Sequence, residues 1–190
     1  MEFIPLITIK NRKILEQNNQ TEEDFFKVIK EESPVYILDL DGIEKDKPNI
    51  CTFQKISNKY QLWIDSGPRN LGDVVDSLMS GVESITIRMD LFPQINLSNI
   101  REITENKIYT YLNNSYDELT PPKYEDFDGY VNLYEREKID ERIINSLKLN
   151  RLYSYENDPL NISYWRNIGV KGLIVNINKI EEFKKYELRN

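Results

Sequence analysis

The sequence predicts an α/β fold of the (β/α)8 class, a compact TIM barrel with several shortened or missing helices. Eight short apolar runs recur along the 190 residues, separated by polar turns and amphipathic segments, an order that suits parallel strands with crossover connections. Near the middle, an apolar run at 62–64, a Gly-Pro-Arg turn, a periodic segment at 71–80, Gly81 and a second run at 84–88 spell one βαβ unit. Length constrains the expectation, because such a barrel ordinarily takes about 250 residues. Several helices must therefore be clipped to a turn or replaced by irregular chain. An open doubly wound sheet is the rival, with fewer strands.

Residues 3–9 form the first strand candidate. Thr21 as N-cap, with Asp24 three residues on, starts a helix over 22–30 whose Phe25, Phe26 and Ile29 face a sheet. Residues 35–38 form the second strand, and 50–56 a weak helix or irregular cover. The third strand, at 62–64, precedes the clearest helix, 71–80, in which Leu71, Val74, Val75 and Leu78 share one face and Gly81 is the stop. Strands follow at 84–88 and 108–112, with 97–103 covering the connection between them. Pro121-Pro122 and several acids argue against a long helix in 113–128. Strands at 130–133, 152–155 and 173–177 alternate with helices at 138–147, 159–167 and 180–186, the last packing through Ile180, Phe183 and Tyr186. Residues 1–190 read as a single domain.

Composition narrows the function classes. Lys plus Arg number 25 against 32 Asp plus Glu, a net charge of -7, which argues against broad nucleic-acid or anionic-membrane binding. No apolar stretch approaches a membrane span, and the opening residues lack the pattern of a secretion signal, so a cytoplasmic location is expected. The chain has no histidine, which removes imidazole acid/base catalysis and His-liganded zinc. Cys51 is the lone cysteine and reads as a small buried residue. Glu156 and Asp158 come without metal-loop spacing, and no metal or other cofactor is expected. Tyr153, Tyr155, Tyr164 and Trp165 suit either a cover over a shortened helix or a self-association patch, and a homodimer is one expectation.

In a parallel barrel, chemistry sits where the strands end. Asp39 and Asp41 bracket Leu40, so both look toward the mouth if the strand continues. Asp65 ends the third strand, and Gly67 and Arg69 stand in the turn after it, where a guanidinium suits an anion. Asp41 and Asp65 are the candidate catalytic residues, and Asp39, Gly67 and Arg69 the candidate substrate contacts. Arg88 and Asp90 read as a charge pair.

The stretches Ile4-Pro5-Leu6-Ile7-Thr8-Ile9, Asp39-Leu40-Asp41-Gly42, Asp65-Ser66-Gly67-Pro68-Arg69 and Gly169-Val170-Lys171-Gly172 occur in order and together resemble the ribotide-isomerase and cyclase family of histidine biosynthesis. The resemblance implies a barrel with two strand-end carboxylates and glycine-rich phosphate turns. The chain departs from that pattern: Thr8 stands where the family has its first catalytic aspartate. Tyr155-Glu156-Asn157-Asp158 replaces a glycine pair, and Asn176 replaces another glycine. What the resemblance implies is therefore a divergent relative, with the usual isomerase carboxylates lost, that binds or converts a small phosphorylated sugar or nucleotide-like metabolite. The alternative is an inert relative acting through a protein partner.

Overall fold

The computed structural model describes residues 1–17, 20–113, 126–136 and 148–188. Its strands are β1 (Glu2–Lys10), β2 (Lys13–Ile14), β3 (Pro34–Asp39), β4 (Gln61–Asp65), β5 (Ser84–Ile87), β6 (Lys107–Tyr111), β7 (Gly129–Asn132), β8 (Leu152–Tyr155) and β9 (Gly172–Asn176). Strand β1 pairs in parallel with β3, and the ladder runs in chain order through β9, which returns to β1 with Ile4 opposite Ile174. This last pairing closes eight parallel strands into a barrel and removes the open-sheet rival. Strand β2 is a short antiparallel return on β1, with Ile9 opposite Ile14, and has no counterpart among the expected runs.

The helices are short, as the length required: α1 (Glu22–Phe26), α2 (Leu40–Lys45), α3 (Ile50–Ser57), α4 (Leu71–Met79), α5 (Leu97–Ile103), α6 (Ile162–Ile168) and α7 (Ile180–Glu187). Helix α4 takes the predicted segment and buries Val74, but Leu71 of the expected face is exposed and Ser77 turns inward. Asn70 accepts from the Asp73 N–H at its start, and Gly81, at φ 86°, lies just past its end. Helix α1 stops four residues before its expected end, because Glu32 takes a left-handed φ of 61° and Pro34 opens β3. Phe25, Phe26 and Ile29 are nonetheless buried. The helix expected at 138–147 and most of the connection at 113–128 lie outside the described residues.

Two apolar layers hold the barrel. On the outside, Ile7, Ile37, Leu62 and Ile64 pack under Phe25 and Phe53, while Leu173 and Val175 pack under Trp165, Ile180 and Phe183. Tyr153, one of the expected cover residues, instead turns into the barrel beside Ile4, Tyr36, Trp63, Tyr109 and Ile174. Cys51 is exposed, contrary to its expected burial, because it sits on the outer side of α3 while Phe53 and Ile56 take the inner face. No helix among the described residues is long and apolar enough to cross a membrane.

Candidate functional site

Strand alternation sends Tyr36, Trp63, Tyr109 and Tyr153 to the barrel axis. Trp63 lies tilted over Tyr109 with ring centroids 3.9 Å apart, and meets Tyr36 and Tyr153 edge-on at 5.0 and 4.9 Å. Room for these rings comes from two glycines: a Cβ on Gly129 would stand 3.0 Å from the Tyr109 ring, and one on Gly172 2.9 Å from Tyr153. The centre of the barrel is packed with side chains.

One polar layer lies above the rings. The Trp63 indole N–H donates to Thr86 Oγ1 at 2.9 Å, and the Tyr36 hydroxyl donates to Asp65 Oδ2 at 2.9 Å. Arg88 grips the same carboxylate with both arms, Nε to Oδ1 at 2.9 Å and Nη2 to Oδ2 at 2.8 Å. Its guanidinium carbon stands 3.9 Å from the centre of the Tyr111 ring, a cation–π contact that caps the pair. Asp65 is 0% exposed and the Arg88 side chain 11%. Burial works against the Arg88 charge, but the charge and hydrogen bonds of Asp65 outweigh it and push its pKa up. Burial, followed by the charge of Asp65, holds Tyr36 well above the ordinary phenol range.

Asp39 and Asp41 do not share a face, because the strand ends at Asp39 and α2 begins at Leu40. Asp39 caps that helix: Oδ1 accepts from the N–H groups of Asp41 and Gly42, while Asn49 donates to the carboxylate through its backbone and side chain, both at 2.7 Å. Burial raises its pKa against these donors. Asp41 accepts from the backbone N–H groups of Asn11 at 3.0 Å and Arg12 at 2.9 Å, and from Lys45 Nζ at 2.9 Å. Asn11 and Arg12 have φ of 51° and 61°, so Asp41 secures a left-handed turn between β1 and β2. Those donors, the Arg12 N–H first and Lys45 next, hold Asp41 far below the usual carboxylate range.

The sign of that shift sets an acid prediction. A carboxyl depressed by folding stabilises the protein fully above its ordinary pKa of about 4, and the contribution is lost as pH falls below that value. Asp41→Asn is expected to flatten the fall of the thermal midpoint between about pH 4 and pH 2. A wild-type slope retained in the variant, read by circular dichroism melts, would sink that role.

Gly67 and Arg69 lock the neighbouring turn onto α2. Arg69 donates to the carbonyls of Gly42, Ile43 and Gly67 at 2.9 to 3.1 Å and pairs with Asp46 at 2.8 Å. Gly67 has φ 65°, and a Cβ there would stand 3.0 Å from Ile43 Cα. The fold thus gathers Asp39, Asp41, Gly67 and Arg69 at the seam between the β3–α2 and β4–α4 turns, whereas Asp65 stands apart inside the barrel. The Asp65 partner was legible in part: Ser84 and Thr86 of β5 and Arg88 just past its end are polar at every second position. Arg88 pairs with Asp65 across strands, and the expected Asp90 partner is not the one it uses.

A cleft of about 460 Å3 opens beside this region, where β7, β8 and β9 end. Arg136, Tyr155, Asp158, Lys179 and Glu182 line it, with Glu156 at its floor. Glu156 is buried and fully engaged, accepting from the N–H groups of Asn157 and Asp158 and from the Trp165 indole at 2.8 Å. Lys179 donates to the Asn157 carbonyl at 2.9 Å, and Arg136 donates to Asn161 Oδ1 at 3.2 Å with its guanidinium 5.0 Å from the centre of the Tyr164 ring. No cluster of three or more potential metal-ligating residues occurs among the described residues. Arg136, Lys179 and Glu182 carry no joint signal in the sequence because the segment after β7 supplies the first, while the turn after β9 and helix α7 supply the other two.

The closed ladder and its side-chain-filled axis define a parallel α/β barrel with a polar cleft at the C-termini of its last strands. Solved structures of that shape include the dihydrodipicolinate synthase of Aquifex aeolicus, at 12% identity and a TM-score of 0.56, covering 98% of this chain and 72% of that one. A further dihydrodipicolinate synthase matches at 11% identity and 0.56, covering 98% and 80%. The 4-hydroxy-tetrahydrodipicolinate synthase of Methylacidiphilum fumariolicum SolV matches at 11% and 0.53, covering 98% and 75%. No family model and no curated protein matches the chain. At such identities the likeness establishes the fold alone.

These matches correct the expected kinship with the ribotide isomerases, and with it the expected place in histidine biosynthesis and the ribotide-type chemistry on a phosphorylated sugar or nucleotide-like metabolite. The reason is visible in the turns. Asp-Leu-Asp-Gly is here a helix cap and a turn clamp, and Gly-Pro-Arg a lock between adjacent loops. Such pieces recur wherever a strand turns into a helix, so they mark the βα turn more than a substrate.

Proposed function

We propose that the barrel binds a small polar acid, one carrying a carboxylate together with an amine or hydroxyl, in the cleft at the ends of β7, β8 and β9. The observation that supports this is the cleft itself, about 460 Å3 at the strand C-termini beside an axis already filled by Trp63 and three tyrosines. Its volume falls within the range of about 300–1,000 Å3 usual for small-molecule sites. Arg136 and Lys179 offer positive charge to a carboxylate, and Asp158 and Glu182 accept from an amine or hydroxyl. Asp65 and Arg88 serve in this reading as the support beneath the mouth.

An NMR titration with amino acids and hydroxy acids at millimolar concentration tests the reading. Shifts are expected at residues 155–158 and 177–182, and Arg136→Gln with Lys179→Met is expected to weaken binding by about tenfold or more, the equivalent of about 1.4 kcal/mol. Shifts confined to other surfaces, or none, would overturn it.

A second reading takes up the synthase likeness. Class I synthases work through a lysine amine that condenses with a substrate carbonyl, forming C=N and releasing water. No lysine is buried among the described residues, but Lys179 lines the cleft. Borohydride with an oxo acid is expected to leave a reduced adduct on Lys179, read by peptide mass spectrometry. Labelling spread over surface lysines, or no labelling, would exclude this reading and leave simple binding standing.

A further inference from the structure

A second cavity, of about 510 Å3, lies on the outside of the barrel at the opposite end, between the segment after α1 and the C-terminal turn of α3. Its floor is apolar: Phe26, Ile29, Ile56 and Tyr60 all line it and all are buried within the fold. Phe26 and Tyr60 stack with centroids 5.3 Å apart and planes 20° from parallel, giving the floor a flat aromatic portion. The rim carries Lys27, Lys55 and Lys59 against one acid, Glu31. Lys27 is paired with Asp24 at 2.5 Å, whereas neither Lys55 nor Lys59 forms a salt bridge among the described residues. In a chain of net charge -7, a cavity edged by two uncommitted cations over an aromatic floor is a local reversal of the overall field.

We infer that this cavity is a binding site for a small amphipathic anion, a flat apolar body of about naphthalene size bearing one carboxylate. The floor takes the apolar body out of water, and its volume falls within the range of about 300–1,000 Å3 usual for such sites. Lys55, in α3, and Lys59, in the turn just past its end, both stand on the rim, where their ammonium groups can meet one carboxylate. Glu31 selects against a second negative group at the far edge. The site is separate from the C-terminal cleft and stands or falls independently of it.

The probes are 2-naphthoate and 2-naphthylmethylammonium, which share a body and differ in charge. Isothermal titration and NMR are expected to show one molecule of naphthoate bound, with shifts at residues 26–31 and 55–60, a preference of about tenfold over the ammonium probe, and weakening with added salt. The surface variant Lys55→Glu/Lys59→Glu is expected to abolish that preference while keeping the wild-type melting midpoint. Lys107→Glu, at the start of β6 and outside the cavity lining, is expected to leave the preference unchanged. Equal binding of both probes, an unchanged preference in the double variant, shifts centred on the C-terminal cleft, or no binding at millimolar probe would each overturn the inference.

Discussion

Arg88→Met is expected to destabilise the protein by about 3–5 kcal/mol, the usual cost of removing one partner of a buried ion pair. For a chain of this size that corresponds to a thermal midpoint lowered by roughly 10 °C. The loss follows from what stays behind: Asp65 is 0% exposed and, among the described residues, keeps only the Tyr36 hydroxyl as a close donor when both guanidinium bonds go. Tyr111 also loses the cation seated 3.9 Å from its ring. The double variant Arg88→Met/Asp65→Asn removes the stranded charge and is expected to recover most of the loss, since the net worth of a buried pair is small beside the cost of breaking it. Chemical denaturation of the single and double variants checks this. If Arg88→Met alone keeps the wild-type midpoint, the pair does not support the mouth.

Trp63→Ala is the second large effect, expected at about 3–5 kcal/mol from lost burial and from the cavity left behind. Trp63 touches Tyr36, Tyr109 and Tyr153 at once, so no single neighbour can move in to fill its place without leaving another gap. The Thr86 hydroxyl also loses its indole donor. Trp63→Phe keeps most of the volume and is expected to cost less than half as much, on the order of 1–2 kcal/mol. Urea unfolding of the two variants separates packing from the indole hydrogen bond: equal losses would mean that the Trp63–Thr86 bond, and not the filled axis, carries the effect.

How much of this was legible depends on the range of the interaction. The eight barrel strands read correctly because each is an apolar run bounded by turn residues, a signal contained within a few positions. The segment expected to cover the connection at 97–103 is helix α5, Leu97–Ile103, with Ile100 buried on its inner side. Helix α2 went unread because its start depends on Asp39 folding back to cap Gly42, and its polar residues look like loop. Asp41 and Asp65 were visible as strand-end acids, but their partners come from distant chain: Arg12 lies 29 positions before Asp41, and Arg88 lies 23 after Asp65. Short turn motifs also suggested a kinship that the comparison of whole folds did not bear out. A motif of three or four residues records local turn geometry, while the reaction depends on how the turns are set against each other.

By itself the sequence determined the order of the eight barrel strands, the shortness of the helices, the absence of imidazole chemistry and the acidic overall field. These follow from periodicity, length and composition, which are properties of the chain before it folds. Only the tertiary structure decided that β9 closes on β1, that Trp63 and three tyrosines fill the axis, and that Asp65 faces Arg88 and not solvent. It also assembled the cleft near Lys179 and the groove edged by Lys55 and Lys59. Both cavities are made of residues far apart in the chain, brought together by barrel closure and side-chain packing, and neither leaves a local pattern to read.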